Sequence, residues 1–139
     1  MAMREAIASQ LGLAGLKHLT NQEKTALSEF VARLREKYAD EVVLVVLFGS
    51  KVRGDFDEES DLDVLVVVEG NDRWPYWREI TDLTSDLLLN YEVNISALVF
   101  NEEYYRWLME HRTPIYNNTT REGVPIWTKK RDESSSGYA

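Results

Sequence analysis

The chain has 139 residues, of which 44% are hydrophobic; it has no cysteine and a formal net charge of −8 at pH 7. This length and apolar content predict one globular domain with its own core, and the lack of cysteine excludes a disulfide framework and a thiolate metal site. The excess of acid argues against direct binding of nucleic acid, because Lys and Arg supply most of that affinity. No run of about eighteen apolar residues is present, so we expect no membrane contact and a cytoplasmic location.

The N-terminal part predicts an arm followed by a helix. Residues 1–19 mix small and apolar side chains, which fits an N-terminal arm or a frayed helix. Thr20 and Glu23 then form a T-x-x-E capping box, which is typical of a helix N-terminus. Apolar residues follow at helical spacing to about residue 39 and predict the face that packs in the core. They are Leu27, Phe30, Val31, Leu34 and Tyr38.

Three stretches predict the strands of a sheet. Val42–Phe48 and Leu62–Val68 are rich in Val and Leu and are closed by turn residues, as buried strands are. A helix is predicted over residues 74–90, with proline in its first turn, and a third strand over residues 92–100. The predicted buried face of that helix consists of Trp77, Ile80, Leu83, Thr84, Leu87 and Leu88.

The C-terminal part predicts two more helices and a tail. Asn101 is a typical N-cap for one helix, and a Thr-Pro pair starts another that Gly123 would end as a C′ glycine. Residues 124–127 form a short extended piece, and the polar, serine-rich residues 128–139 predict a disordered tail.

The folded domain is predicted to span residues 20–127. Its order of helix, strand, strand, helix, strand and helix predicts an α/β fold in which a small mixed sheet is packed with helices.

The second strand begins with two carboxylates. Residues i and i+2 of a strand share a face, so Asp61 and Asp63 point the same way, while Leu62 and Val64 point into the opposite layer. Two carboxylates beside a hydrophobic strand are costly unless their charge is neutralised. Mg²⁺ prefers one or two carboxylates together with phosphate oxygens and water, so this pair is the candidate metal site.

The turn after the first strand is the candidate nucleotide-binding element. Gly49 lets the backbone approach a ligand closely, and Ser50 offers a hydroxyl group and a backbone N–H. Lys51 and Arg53 could open a short helix and add positive charge, which favours phosphate. An ion pair with an acid in residues 55–57 is the alternative for Arg53. A phosphate cradle beside an acidic metal site indicates phosphoryl or nucleotidyl transfer.

These features combine into one motif over residues 48–68, which reads Gly-Ser, ten residues, and Asp-x-Asp between two strands. The motif resembles the signature of the DNA polymerase β-like nucleotidyltransferase superfamily. The flanking Arg-Gly and Ser-Asp pairs resemble its small prokaryotic branch, the minimal nucleotidyltransferases (MNT). With the closing segment at residues 121–124, the likeness covers most of the chain.

The resemblance implies a nucleotidyltransferase fold and Mg²⁺-dependent transfer of AMP from ATP to a hydroxyl group. Proteins of this branch are often antitoxins that add AMP to a tyrosine of a partner, a HEPN-domain ribonuclease toxin. The implied roles of Asp61 and Asp63 are metal binding and catalysis. The implied nucleotide-binding residues are Gly49, Ser50 and Arg53.

The resemblance also implies a third acid on the next strand, where this chain differs. Asn94 stands at the expected position, and its side chain binds a metal weakly and cannot act as a base. Glu92 lies about 7 Å away on the same predicted strand face, as a substitute ligand or as a solvated strand-end residue. Two alternatives to AMP transfer onto a partner therefore stay open. They are an antitoxin that acts by binding alone and transfer to a small molecule of the aminoglycoside type.

Two aromatic clusters are candidate contact surfaces. The aromatics of residues 74–77 either stack on an adenine or on a partner or, in the favoured interpretation, pack their own helix. Tyr104, Tyr105 and Trp107 cannot all face one core, because adjacent positions on a helix diverge. We therefore expect one or two of them to be exposed and to form a protein interface.

Overall fold

The computed structural model of the chain describes residues 16–54 and 61–129. The predicted arm up to residue 15, the motif residues 55–60 and the predicted tail from residue 130 lie outside this part. The described elements are α1 (Asn21–Tyr38), β1 (Val42–Phe48), α2 (Ser50–Arg53), β2 (Leu62–Val68), α3 (Trp74–Tyr91), β3 (Ile95–Asn101), α4 (Glu102–Glu110), α5 (Pro114–Glu122) and β4 (Val124–Thr128). Across the described residues, no helix combines the length and apolarity that crossing a bilayer requires.

The described strands form one mixed sheet in the order β3-β2-β1-β4. Strands β2 and β3 are parallel and are joined by helix α3, whereas β1 is antiparallel to both of its neighbours. Helices α1 and α3 pack on one face, and α4 and α5 pack on the other. The predicted α/β fold with a small mixed sheet is confirmed.

Helix α1 forms where its capping box and apolar stripe predicted it. Thr20 Oγ1 accepts a hydrogen bond from Glu23 N at 3.1 Å, and Glu23 Oε1 accepts one from Thr20 N at 2.9 Å. Phe30 and Leu34 are buried in the core, where a side chain of this size contributes about 2 kcal/mol. Leu19, which precedes the predicted domain boundary, is buried in the same core.

The central strands β1 and β2 have the predicted bounds. Helices cover both faces of the sheet, and this burial on both sides explains why the sequences of β1 and β2 are continuously apolar. Every residue of β2 is buried except Asp63, and every residue of β1 is buried except Phe48. These two exceptions lie opposite each other in the strand register and mark the end of the sheet that carries the site.

The third strand begins later than predicted. Helix α3 continues to Tyr91, and Glu92 ends it in the left-handed conformation with φ 57°. The Glu92 N–H donates to the carbonyl of the residue four positions earlier at 2.9 Å. Strand β3 starts only at Ile95, so the prediction that Glu92 and Asn94 share a strand face is wrong.

The buried face of α3 is narrower than predicted. Ile80, Leu83 and Leu87 are buried as expected, but Trp77 and Leu88 are 40% and 44% exposed. The apolar stripe of this helix is therefore wider than its contact with the rest of the domain.

The extended piece after α5 is a fourth strand. Strand β4 pairs with β1 at the sheet edge, where a proline such as Pro125 is tolerated because its outer side needs no N–H. Gly123 ends α5 as predicted, with its N–H donating to Thr119 O at 2.9 Å, and its backbone is extended with φ −76° and ψ 153°. A Cβ at Gly123 would lie 2.1 Å from Thr119 O and 2.5 Å from Val46 Cγ1, so close packing is what requires glycine there.

Candidate active site

The two predicted acids lie at the start of β2. Leu62 and Val64 are buried in the core beneath α1 and α3. Side chains alternate along a strand, so Asp63 faces the opposite side of the sheet, where it is partly buried. Asp61 precedes the strand and is close enough for its charge to act on Asp63. The structure thus brings the two carboxylates together.

The Asp63 carboxylate reaches the Gly-Ser turn. Gly49 has φ 89° and ψ −162°, a conformation that a residue with a side chain rarely adopts. A Cβ on Gly49 would lie only 2.3 Å from Asp63 Oδ2. Glycine is required on both grounds, and the acid packs against the backbone immediately before Ser50.

A single helical turn, α2, follows this contact, as the sequence suggested. Val52 N and Arg53 N both donate to Gly49 O at 3.1 Å, and Gly54 N donates to Ser50 O at 2.7 Å. These bonds fix Ser50 next to the glycine that the carboxylate contacts. Turn and acid pair therefore converge at one end of the sheet.

The electrostatics of the pair favour a bound cation. Burial raises the pKa of the Asp63 carboxyl above its ordinary value, and the Asp61 charge raises it further, while the Arg53 guanidinium opposes both. A divalent cation would relieve this repulsion, and carboxylate oxygens are the ligands that Mg²⁺ prefers. The donor set of Asp61 and Asp63 thus fits Mg²⁺.

Asn94 contacts the acid pair directly. Its Nδ2 donates to Asp61 Oδ1 at 2.9 Å, and its backbone carbonyl accepts from Leu62 N at 3.0 Å. The position at which a third acid was expected is therefore adjacent to the pair. The asparagine holds one of the carboxylates with a hydrogen bond, a role that the sequence did not indicate.

Glu92 is placed differently. It lies at the C-terminal end of α3 and is exposed. Within the described ranges, no group of three or more His, Cys, Asp and Glu side chains is arranged to hold a metal ion. Glu92 is therefore not brought into a three-acid cluster with Asp61 and Asp63.

The two cations of α2 have different environments. The positive charge of Arg53 lowers the pKa of the Asp63 carboxyl. Its Nη1 also forms an ion pair with Glu122 Oε2 at 2.9 Å. Lys51 was expected to add positive charge beside the phosphate, but it is buried and its Nζ lies 3.1 Å from Glu23 Oε2. Sequence patterns do not reveal this ion pair, because Lys51 and Glu23 belong to different elements.

The aromatic residues of α4 are divided as expected. Tyr105 is buried, and its ring packs on Tyr116 at 5.7 Å between centroids. Tyr104 and Trp107 are 46% and 47% exposed and stack on each other at 6.1 Å. Both line an open groove of about 610 Å³. This exposed pair, with Leu98 on β3 also partly exposed, is called the α4 surface below.

The fold and this site define a nucleotidyltransferase, and comparison with known proteins agrees. The family model described as "Nucleotidyltransferase domain" matches residues 27–116. The chain therefore belongs to the nucleotidyltransferase domain family, which confirms the resemblance seen in its motif.

Curated relatives in Methanocaldococcus jannaschii include two that are provisionally named protein adenylyltransferases. One is 45% identical over 85 residues, which cover 61% of this chain and 79% of the relative. The other is 34% identical over 76 residues, which cover 55% of this chain and 77% of the relative.

Solved structures share the fold. A crystal structure of a protein from Sulfolobus solfataricus, provisionally assigned as a nucleotidyltransferase, is 19% identical with a TM-score of 0.51 and covers 88% of each chain. A toxin-antitoxin crystal structure with AMP-PNP is 18% identical with a TM-score of 0.51 and covers 83% of this chain and 79% of that one. At such identities the likeness concerns the fold alone.

Proposed function

We propose that this chain is a Mg²⁺-dependent adenylyltransferase that moves AMP from ATP onto a tyrosine of a partner protein, a HEPN-domain ribonuclease toxin, and so acts as its antitoxin in the cytoplasm. The observation that carries the proposal is the contact of the Asp63 carboxylate with Gly49, directly before Ser50. The protein adenylyltransferase names of the M. jannaschii relatives support the reaction. A toxin-antitoxin structure with AMP-PNP on the same fold supports the antitoxin role.

The residues of the site take complementary roles in this proposal. Asp61 and Asp63 bind the metal, and the Gly49-Ser50 turn with Arg53 binds the triphosphate. When bound, Mg²⁺ offsets negative charge on the triphosphate and on the departing pyrophosphate. The acceptor hydroxyl oxygen bonds to the α-phosphorus, the bond from that phosphorus to the β-phosphate oxygen breaks, and the hydroxyl proton passes to solvent.

Because Asn94 is neutral, this site has one negative charge fewer than a site with three acids. Its amide donates to Asp61, which orients that carboxylate without adding a negative charge. We infer a site in which two carboxylates hold the metal and the asparagine sets the direction of one of them.

The direct test uses ATP labelled at the α-phosphate, Mg²⁺ and a purified HEPN-domain partner. We expect label on a partner tyrosine with the wild-type chain and none with D61A/D63A. A folded wild-type chain that leaves the partner unlabelled would contradict the proposal. A matched reaction with aminoglycosides in place of the partner tests transfer to a small molecule.

The same double variant tests the binding-only alternative, which Asn94 at the acid position motivates. Neutralisation of the partner's ribonuclease activity should be lost in D61A/D63A if AMP transfer is the mechanism. Full neutralisation by this variant would show that contact alone inhibits the toxin.

A further inference from the structure

The helical turn that carries Ser50 is anchored to α1 through its second residue, Lys51. Lys51 follows Ser50 directly and is only 7% exposed. Its Nζ lies 3.1 Å from Glu23 Oε2, and the Glu23 side chain is itself only 13% exposed. An ion pair this well covered is held in one geometry, unlike a solvated surface pair.

Glu23 belongs to the capping box of α1. Its other carboxylate oxygen accepts the hydrogen bond from Thr20 N at 2.9 Å. One carboxylate group thus closes the start of α1 and holds the second residue of the turn. The position of α2 is thereby linked to the N-terminus of a long core helix.

A second contact joins the same two segments. Gly54 ends α2 with φ 95°, and a Cβ there would lie 2.7 Å from His18 Nε2. The imidazole of His18 therefore lies against the α-carbon of Gly54. The turn is held near its start by Glu23 and at its end by His18.

We propose that Glu23 and Lys51 are positioning residues for the nucleotide: their ion pair fixes α2 so that Ser50 and Arg53 meet the triphosphate. This inference rests on the proposed function of the site. It assigns Lys51 to the protein scaffold, whereas its place in the motif suggested a phosphate ligand.

The two roles for Lys51 predict opposite effects of changing Glu23. If Lys51 positions the turn, loss of the Glu23 charge releases it and weakens nucleotide binding. If Lys51 binds phosphate, loss of the Glu23 charge removes one competitor for the ammonium group and leaves binding equal or tighter. The variant E23Q keeps the shape of the side chain and one acceptor oxygen for Thr20 N, but it removes the charge and replaces the other oxygen by an NH₂ donor.

Calorimetry with Mg²⁺ and AMP-PNP on E23Q, K51M and the double variant separates these roles. We expect each single variant to bind about tenfold more weakly than wild type. The double variant should be no weaker than the singles, because all three lose the same link. Titrations run well below each melting temperature, so a purely structural role would leave affinity unchanged.

The matched control is K37M. Lys37 also lies on α1 and forms an ion pair, with Glu79 of α3, but this pair is exposed. We expect K37M to bind AMP-PNP as wild type does.

The outcomes distinguish the inference from the function on which it rests. Wild-type affinity in folded E23Q overturns the positioning role while the proposed function stands. Loss of affinity in K51M with unchanged affinity in E23Q assigns Lys51 to the phosphate and also overturns it. A wild-type chain that does not bind AMP-PNP with Mg²⁺ overturns the proposed function and the inference together.

Discussion

At the scale of single residues, the site depends on a carboxyl group, that of Asp63, whose pKa is higher in the folded protein than its ordinary value. Burial and the Asp61 charge raise the pKa of Asp63, so the folded state holds this proton more tightly than the unfolded chain does. In the absence of metal, Asp63 therefore favours folding as pH falls through the range between its ordinary pKa and the raised one. Above that range its charge costs stability.

The change D63N tests this cost. Without metal at neutral pH, we expect D63N to melt at a higher temperature than wild type, because it removes the buried charge. We also expect nucleotidyl transfer to fall by about two orders of magnitude. Thermal unfolding from pH 4 to 8 should show the two proteins converging towards acid pH, and a D63N melting temperature below wild type at pH 7 would contradict the assignment.

Asn94 allows a gain-of-charge test. N94D places a third carboxylate beside Asp61, so we expect a lower melting temperature than wild type without metal and a larger rise on addition of Mg²⁺. N94A is the control, since it loses the 2.9 Å bond to Asp61, worth about 1 kcal/mol, without adding charge. Equal Mg²⁺ responses in N94D and N94A would show that this position does not face the metal.

At the scale of elements, what the sequence predicted depended on how local the signal was. Helix α1 and strands β1 and β2 carry strong local patterns, and their predicted positions were correct. The start of β3 was misplaced because α3 runs to Tyr91 and is capped by Glu92. Nothing in the residue type of Glu92 indicates the left-handed conformation that it adopts. Strand β4 was missed as a strand because it is short, contains a proline and pairs only at the sheet edge.

The close packing of α5 on β1 is tested by G123A. The added Cβ would meet Val46 Cγ1 of β1 at 2.5 Å and Thr119 O of α5 at 2.1 Å. We expect a loss of about 1–3 kcal/mol in the free energy of unfolding, measured by urea denaturation. G70A is the comparison, because Gly70 has φ 85° but no atom within 4 Å of a Cβ. It should lose about 1 kcal/mol from backbone strain alone. A G123A variant as stable as wild type would exclude the contact.

The candidate site was also predictable only in part. The acid pair and the turn are local in sequence, so strand alternation and the Gly-Ser motif identified them. The contacts of Asn94 with Asp61 and of Lys51 with Glu23 join residues that are distant in sequence. Such pairs depend on how the elements pack, and neither periodicity nor residue type reveals them.

At the scale of the whole molecule, we propose the α4 surface as the docking site for a partner. Tyr104, Trp107 and Leu98 are large apolar side chains left partly in water. Aromatic residues in such places often dominate binding energy in protein interfaces. Leu98 lies on the same face of the sheet as Asp63, so a partner on the α4 surface contacts the face of the sheet that carries the acid pair.

The change W107A tests this surface. We expect the KM for the HEPN-domain partner to rise by about tenfold or more. Affinity for AMP-PNP should be unchanged, because the described residues that line the groove with Trp107 include neither the Gly-Ser turn nor the acid pair. W74A is the matched control, since Trp74 is 65% exposed and lies on α3, which packs on the other face of the sheet. A W107A variant with the wild-type KM, or an equal defect in W74A, would reject the α4 surface as the docking site.

The central claim is that the Gly-Ser turn and the Asp61–Asp63 pair together bind one metal-bound triphosphate. Calorimetric titration of AMP-PNP into the wild-type chain, with and without Mg²⁺, tests it most directly, with D61N/D63N as the comparison. We predict binding that requires Mg²⁺ and is lost in the double variant. Binding of equal strength without Mg²⁺, or in folded D61N/D63N, would contradict the account.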